Sequence, residues 1–313
     1  MVGMFVAEIE AAENKVEATF YVAKTGMQSL LGDETAKKLK VLKIGYNVAS
    51  VRQSPGPFPK IKGVLVEIPV NPDVEPVQQP HRRAPFALED KIAEKLQYLQ
   101  DQDIIERVHQ PSAWVSPIVP VVKDNGEIRL CVDMRRANQA VLRETHQLPI
   151  IEELFGRING AVRFSKLDIR VAYHQVEISE RSREITTFIA KQGLLRNKRL
   201  MFGISCAPEL FQKVMESVVA GLDGVVIYLD DLMVWGRNLE EHDRRLKALM
   251  ARLHEFGLML NKEKCVFAVP QLEFLGHELS SSGIRPTESK IAAIKSFRIP
   301  NNPNYNYVAF WGS

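Results

Sequence analysis

Two short hydrophobic runs flank a pair of carboxylates in residues 225–235, which read VVIYLDDLMVW. Both runs are rich in β-branched and aromatic residues, so they predict strands at residues 225–229 and 232–235. Asp230 and Asp231 would then form the two-residue turn of a hairpin. Such turns favour Asn-Gly or Asp-Gly, and neighbouring carboxylates repel each other, so the pair needs a physical reason to stand there.

The hydrophobic pattern predicts further strands and helices around this hairpin. Strands are predicted at residues 117–122, 128–133, 163–169 and 272–279. Helices are predicted where apolar residues recur at helical spacing between capping residues, at residues 148–160, 207–222 and 238–257, and in a segment with Ile92, Leu96 and Leu99 on one face. Because helices and hairpins follow one another without regular βαβ alternation, the pattern predicts an α+β fold.

The chain divides into sections by composition. In residues 1–47, the stretch KVEATFYVA alternates like a strand and precedes a predicted turn and short helix. Prolines crowd the next stretch, so residues 48–75 are predicted to be mostly extended linker, with one strand in IKGVLVEIPV. Residues 76–299 carry the α+β pattern, whereas residues 300–313 match none of it and are predicted to be an aberrant or disordered tail.

The overall composition is that of a soluble globular protein, with 45% hydrophobic and 25% charged residues in a chain of 313. A formal net charge of +3 is compatible with a polyanionic partner without requiring one. The three cysteines are widely spaced and form no CxxC pair, which fits a reducing compartment. No signal peptide or transmembrane segment is predicted, so an intracellular location is expected.

A third carboxylate, Asp168, offers an explanation for the two neighbouring carboxylates Asp230 and Asp231. In RFSKLDIRVAYHQVEI, Asp168 ends a predicted strand, a position where a lone acid is usually a turn former. An Asp-Asp pair alone is likewise usually a solvated turn. Together, however, three hard oxygen ligands suit Mg²⁺, and two such ions held about 3.5–4 Å apart activate a hydroxyl and stabilise a leaving pyrophosphate. The sequence therefore predicts a hairpin built around metal.

Five ordered stretches carry a family resemblance. They are SPIVPVVKDNGEIRLCVDMRRAN, LPIIEELFGRINGAVRFSKLDIRVAYHQVEI, RLMFGISCAPELFQKVM, VVIYLDDLMVWGRNLEEHDRRL and LNKEKCVFAVPQLEFLGHELSSSGI. With them, residues 76–299 resemble the fingers and palm of a reverse transcriptase of the gypsy-type LTR retrotransposons. The resemblance implies a right-hand polymerase fold with the thumb largely missing. It also implies an RNA-directed DNA polymerase from a Pol polyprotein that includes protease, RNase H and integrase.

The same resemblance implies a role for individual residues. Asp168, Asp230 and Asp231, with the backbone carbonyl of Ile169, would bind two Mg²⁺ ions, for which Mn²⁺ would substitute. The residues implied to bind the deoxynucleotide are Lys123, Arg129, Val171, Ala172, Tyr173, Phe202 and Lys264. Those implied to contact the primer and the RNA or DNA template are Gly203, Leu275, Gly276 and His277.

Several of these residues also fit ordinary structural roles that need no bound nucleotide. Lys123 and Arg129 also fit a solvated turn, Tyr173 fits a half-buried strand aromatic, and Lys264 fits a solvated lysine. Met201 stands in LMFG where the family usually has proline, which favours a second hypothesis, a catalytically inert remnant that at most binds nucleic acid. For either hypothesis the expected location is cytoplasmic, in a virus-like particle of the parent element, or nuclear, with no membrane partner.

A second, shorter resemblance lies at the N-terminus. The stretch FYVAKTGMQSLLGDETAKKLKVL is similar to the last strand and helix of a retropepsin-type protease. The catalytic Asp-Thr/Ser-Gly of that family is not found in the sequence, so no proteolytic activity is implied. The alternative interpretation of residues 1–47 is a small strand–helix piece.

Overall fold

The structure is a computed structural model and describes residues 3–11, 14–22, 57–122, 126–143 and 149–296. The chain separates into two units, Met1–Val51 and Arg52–Ser313. The helix predicted after residue 23, the first part of the predicted linker (residues 48–56) and the predicted tail lie outside the described residues. Within the described residues, no helix is both long and apolar enough to cross a bilayer.

The first unit contains an antiparallel hairpin of strands β1 (Gly3–Ala11) and β2 (Asn14–Val22). Gly3 lies opposite Val22, and the register continues without interruption to the pair of Ala11 and Asn14. The strand predicted from the alternation in KVEATFYVA is therefore confirmed. Its partner strand was not predicted.

The second unit mixes helices and strands along the chain. Its helices are α1 (Glu89–Asp101), α2 (Ile151–Gly156), α3 (Ala207–Val219), α4 (Leu239–Glu255) and α5 (Glu288–Lys295). Its strands are β3 (Leu65–Val66), β4 (Ile105–Arg107), β5 (Ser116–Val122), β6 (Ile128–Val132), β7 (Arg163–Asp168), β8 (Glu177–Ile178), β9 (Phe188–Ala190), β10 (Gly193–Asn197), β11 (Val225–Tyr228), β12 (Asp231–Gly236), β13 (Val266–Val269), β14 (Gln271–Phe274), β15 (His277–Ser280) and β16 (Gly283–Pro286). Short 3-10 helices lie at Phe86–Leu88, Ala137–Gln139, Ala172–Gln175, Glu180–Ser182, Glu184–Thr186 and Lys262–Lys264.

One sheet has the strand order β4-β10-β9-β5-β6 and corresponds to the predicted fingers. Helix α1 buries Ile92 and Leu96 in a core that also contains Ile118 and Phe188 from this sheet, because its apolar residues recur on one face. Strands β5 and β6 form an antiparallel hairpin that places Val122 opposite Ile128. Arg129 lies in β6 opposite Val121, whereas Lys123 lies outside the described residues.

The second large sheet has the strand order β11-β12-β7-β13 and corresponds to the predicted palm. All its neighbours are antiparallel. Phe164 of β7 and Met233 of β12 pack in a core with Phe274 of the adjoining β14-β15-β16 sheet. The register between β7 and β12 pairs Asp168 with Asp231, so the strand ends are aligned at the point where the carboxylates lie.

The predicted position of the carboxylate turn is wrong by one residue. Tyr228 pairs with Asp231, so the turn of the β11–β12 hairpin consists of Leu229 and Asp230 rather than Asp230 and Asp231. Leu229 adopts a left-handed conformation with a φ of 54°, and its N–H donates to the Gln212 side chain at 2.8 Å. The position of the turn therefore depends on a buried hydrogen-bond acceptor in helix α3, which the sequence of the hairpin does not reveal.

Two other predicted elements differ in length. The strand predicted at residues 272–279 is a hairpin whose turn is Leu275 and Gly276, with φ values of 50° and 71°. Positive φ at both turn positions matches the twist of the flanking strands. The helix predicted at residues 148–160 spans only Ile151–Gly156 before a series of turns that ends at Gly160, which has a φ of 80°.

Candidate active site

Three aspartates meet at one edge of the palm sheet. Asp168 is the last residue of β7 and lies opposite Asp231, the first residue of β12. Directly paired residues of antiparallel strands project their side chains from the same face of the sheet. Asp230 precedes Asp231 in the turn, and its carbonyl accepts a hydrogen bond from the N–H of Ile169 at 3.3 Å. This bond fixes the turn against the segment that follows β7.

Two lysines accompany the paired carboxylates. The Lys166 Nζ lies 2.9 Å from Oδ2 of Asp231, and the Lys264 Nζ lies 3.7 Å from Oδ2 of Asp168. Lys264, expected near nucleotide phosphates, thus contacts a candidate metal ligand in this structure. Lys166 was missed from the sequence, although its position two residues before Asp168 on a strand places both side chains on one face.

The charges of the three aspartates act on one another. Burial raises the pKa of Asp168 above its ordinary value of 3.8, while Lys264 opposes that shift, and the charges of Asp231 and Asp230 raise the pKa further. A divalent cation would relieve this repulsion, and carboxylate oxygens are the ligands that Mg²⁺ prefers. Among the described residues, no group of three or more His, Cys, Asp or Glu side chains is already arranged as a chelate. The donor set nevertheless has the chemistry that a hard divalent cation requires.

An aromatic pocket lies beside the aspartates. The centroid of the Tyr173 ring is 4.6 Å from that of Phe202 and 5.4 Å from that of Phe211. The guanidinium carbon of Arg129 lies 4.9 Å from the centroid of Phe202, so a fingers strand reaches the pocket. Burial raises the pKa of the Tyr173 phenol, as do the negative charges of Asp230 and Glu209. Of the two basic residues expected to bind the nucleotide, Arg129 lies beside Phe202 and Lys123 lies outside the described residues.

The backbone before Tyr173 is unusual. Val171 is left-handed, with a φ of 46° and a ψ of 52°, and Ala172 then begins a 3-10 helix. A left-handed residue followed by a right-handed turn orients successive N–H groups toward a common point, an arrangement that binds anions. The phosphate-binding role expected of the Val171 and Ala172 N–H groups stays a prediction.

The residues expected to contact primer and template occupy two loops. Leu275 and Gly276 form the turn between β14 and β15, and His277 begins β15 with Nδ1 at 2.9 Å from the Leu275 carbonyl oxygen. Gly203 has a φ of 98°, and its carbonyl accepts a hydrogen bond from Nδ2 of Asn138 at 2.7 Å. Asn138, which also accepts the N–H of Ser205 at 3.0 Å, is a positioning residue that sequence reasoning missed.

A second positioning residue that was missed is Gln212 of α3, whose side chain is fully buried. Its Oε1 accepts the N–H of Leu229, and its Nε2 donates to the carbonyl of Ile227 at 3.4 Å. It also donates to Glu216 at 2.8 Å. The available signal was a polar residue between Phe211 and Val214, within the apolar stripe of the helix.

An antiparallel sheet that aligns aspartates from two neighbouring strands beside an aromatic pocket is the palm arrangement of a nucleic acid polymerase. The comparison with protein families agrees, since residues 121–279, about half of the chain, match the model described as reverse transcriptase (RNA-dependent DNA polymerase). The chain belongs to the reverse transcriptase family. The enzyme class predicted from the sequence is thereby confirmed at the level of the family.

Curated relatives include Pol polyproteins. An uncharacterized protein of Caenorhabditis elegans is 35% identical over 230 residues, which cover 72% of this chain and 18% of that protein. The retrovirus-related Pol polyprotein from transposon 412 of Drosophila melanogaster is 32% identical over 248 residues, which cover 76% of this chain and 20% of that polyprotein. The chain thus spans about a fifth of the length of these relatives.

Solved structures confirm the predicted fingers and palm fold. A foamy viral protease-reverse transcriptase in complex with an RNA/DNA hybrid matches with a TM-score of 0.67 and 18% identity. The match covers 95% of this chain and 44% of that chain. At such low identity, the likeness is evidence for the fold alone.

Proposed function

We propose that this chain is the RNA-directed DNA polymerase domain of a gypsy-type LTR retrotransposon Pol polyprotein. It adds deoxynucleotides to a primer on an RNA or DNA template, in the cytoplasm or the nucleus. The observation that carries the proposal is the register that pairs Asp168 with Asp231 and sets Asp230 in the adjoining turn. The protease, RNase H and integrase would be other parts of the same polyprotein, and residues 1–47 a retropepsin remnant joined by the linker at residues 48–75.

The carboxylates of Asp168, Asp230 and Asp231 would hold two Mg²⁺ ions with help from the Ile169 carbonyl. Bound there, the ions would supply charge neutralisation and an activated primer hydroxyl. Mn²⁺ would substitute for Mg²⁺. The paired strands fix the backbone positions from which Asp168 and Asp231 would present their carboxylates.

The surrounding residues would position the two substrates. Arg129, with Lys123, binds the triphosphate, and the N–H groups of Val171 and Ala172 add contacts to its oxygens. Tyr173, fixed between Phe202 and Phe211, excludes a 2′-hydroxyl by its volume. Leu275, Gly276 and His277 hold the primer end, and Gly203 approaches the template.

Primer extension with purified protein tests the proposal. The wild-type chain should add deoxynucleotides in the presence of Mg²⁺, and Asp230→Asn should abolish addition while the protein remains folded. Asp223→Asn, in the exposed turn that precedes β11, is the matched control and should retain activity. Addition by Asp230→Asn at the wild-type rate contradicts the metal assignment. Nucleic acid binding without any addition by the wild-type chain favours the inert remnant.

A further inference from the structure

Lys166 occupies a position in the palm sheet that the proposed mechanism does not use. Side chains alternate along a strand, so Lys166 shares a face of β7 with Asp168. Its cross-strand partner is Met233, and Asp231 lies opposite Asp168. Lys166 is therefore the diagonal neighbour of Asp231, and its Nζ lies 2.9 Å from the Asp231 Oδ2.

The Lys166 ammonium is held more firmly than a surface lysine. Its side chain is 25% exposed, and its Nζ lies 5.9 Å from the centroid of the Phe274 ring. An aromatic face attracts a cation at this distance, and partial burial reduces screening by salt. The Lys264 side chain is 67% exposed, and its Nζ lies farther from its carboxylate, at 3.7 Å from the Asp168 Oδ2. Of the two lysines, Lys166 is therefore the less exposed and makes the shorter contact with a carboxylate.

An ammonium group at 2.9 Å occupies the same carboxylate oxygen that a metal ion would need. One lysine contact at Asp231 offsets part of the repulsion that the aspartates exert on one another. A divalent cation bound by Asp231 would take over that role and would be repelled by the ammonium. The two cations therefore compete for one site.

We propose that Lys166 is a built-in counter-ion of Asp231, which a divalent cation displaces when it binds. The inference rests on the proposed function, since it assumes that Asp168, Asp230 and Asp231 bind metal. Without metal, Lys166 holds the Asp231 carboxylate at the sheet edge and limits its repulsion from Asp168. With metal, the same ammonium weakens binding, so Lys166 sets the metal concentration at which the site fills.

The counter-ion role predicts that loss of the Lys166 charge destabilises the metal-free protein but strengthens metal binding. Lys166→Met removes the charge but keeps an unbranched side chain that packs against Phe274. In the metal-free protein, this variant should unfold at a lower temperature than wild type because the aspartates lose their counter-ion. In the presence of metal, it should bind the ion more tightly because the competing charge is gone.

The test uses the full chain and two readouts other than polymerase activity. Mn²⁺ binding is measured from the electron paramagnetic resonance signal of the free ion, and thermal unfolding is measured in EDTA and in saturating Mn²⁺. We expect Lys166→Met to lower the Mn²⁺ dissociation constant on the order of tenfold and to enlarge the metal-induced rise in Tm. Lys166→Arg should keep wild-type values. Lys247→Met, an exposed charge on α4, should match wild type in both readouts.

Two further variants make the result specific. Lys264→Met should tighten Mn²⁺ binding less than Lys166→Met, because Lys264 is more exposed and more distant from its carboxylate. Adding Asp231→Asn to Lys166→Met should remove the gain in affinity, since the ligand for which the cations compete is gone. An equal gain in both backgrounds overturns the assignment of Lys166 to Asp231.

The possible failures are distinguishable. If wild type binds Mn²⁺, Asp230→Asn abolishes that binding and Lys166→Met leaves it unchanged or weaker, the counter-ion role is overturned and the metal site stands. If neither wild type nor Lys166→Met binds Mn²⁺, the proposed metal site fails and the counter-ion role fails with it.

Discussion

At the scale of the residue, three of the five non-glycine residues with positive φ in the described part of the chain lie in loops of the candidate site. Val171, Leu229 and Leu275 all have positive φ, with values of 46°, 54° and 50°. A non-glycine residue in this region costs on the order of 1–2 kcal/mol, and a β-branched side chain makes the conformation a genuine outlier. Each of these residues adjoins a group to which we assign a role in substrate or metal binding. Strain at these positions fits a backbone selected for geometry rather than for local stability.

Val171→Gly should stabilise the protein because glycine adopts the left-handed conformation without steric cost. We expect the free energy of unfolding to rise by about 1 kcal/mol, measured by urea denaturation. Ala172→Gly is the matched control, since Ala172 begins a right-handed turn and gains nothing from glycine. It should destabilise the protein. Destabilisation of similar size by both variants would show that Val171 carries no strain.

Tyr173→Ala should let ribonucleotides compete with deoxynucleotides, because the ring that occupies the space beside Phe202 is removed. The measurement is the ratio of ribonucleotide to deoxynucleotide incorporation in primer extension. Tyr173→Phe keeps the ring and should keep the wild-type ratio. An unchanged ratio in Tyr173→Ala would mean that Tyr173 is only a packing residue.

At the scale of the element, local signals determined what the sequence predicted well. Helix α4 begins after Asn238, whose Oδ1 accepts the N–H of Glu241 at 2.8 Å, as a capping residue predicts. Helix α3 likewise begins with the expected proline in its first turn. Strands β4, β9 and β10 were missed because they have only three to five residues, too few to show a clear alternating pattern.

The position of the carboxylate turn also could not be predicted from the sequence of the hairpin alone. Leu229 is a poor residue for a left-handed turn, so the sequence placed the turn one residue late. The hydrogen bond from its N–H to Gln212 of α3 supplies the compensation. The aspartates themselves were predicted from the sequence, whereas the contact between Lys166 and Asp231 depends on the register of β7 and β12.

Gln212→Leu should therefore disturb the hairpin as well as the fold. It leaves the N–H of Leu229 without its acceptor, and we expect a loss of about 1–3 kcal/mol in the free energy of unfolding. Nucleotide addition should fall further than this loss explains at temperatures where the variant is folded, because Asp230 adjoins Leu229. Gln97→Leu, which removes an exposed side-chain hydrogen bond on α1, should change both quantities little. Full activity in folded Gln212→Leu would contradict the positioning role.

At the scale of the whole molecule, a buried arginine joins segments that are distant in sequence. Arg199 is 2% exposed and donates hydrogen bonds to the carbonyls of Phe58, Asp103 and His174 at 3.1, 3.2 and 3.4 Å. The ring of His174 lies edge-on to Phe58, with centroids 6.5 Å apart. His174 immediately follows Tyr173, so this junction connects the start of the second unit to the pocket.

The junction should make stability depend on pH. Burial lowers the pKa of His174 from 6.5 to about 4, and the charges of Lys95 and Arg199 act in the same direction. In the unfolded chain, His174 takes up a proton as the pH falls below 6.5, while the folded protein resists protonation until about pH 4. The stability contributed by neutral His174 is therefore full above pH 6.5 and is lost between pH 6.5 and 4, by up to about 3 kcal/mol.

Urea denaturation at intervals between pH 7.5 and 4 measures this loss. His174→Gln cannot take up the proton, so its free energy of unfolding should fall less steeply over the same range. His109→Gln replaces an exposed histidine and should keep the wild-type profile. Parallel profiles for wild type and His174→Gln would overturn the role of His174 as the acid-sensitive group. A flatter profile would show that acid weakens the molecule at the junction that supports the Tyr173 pocket.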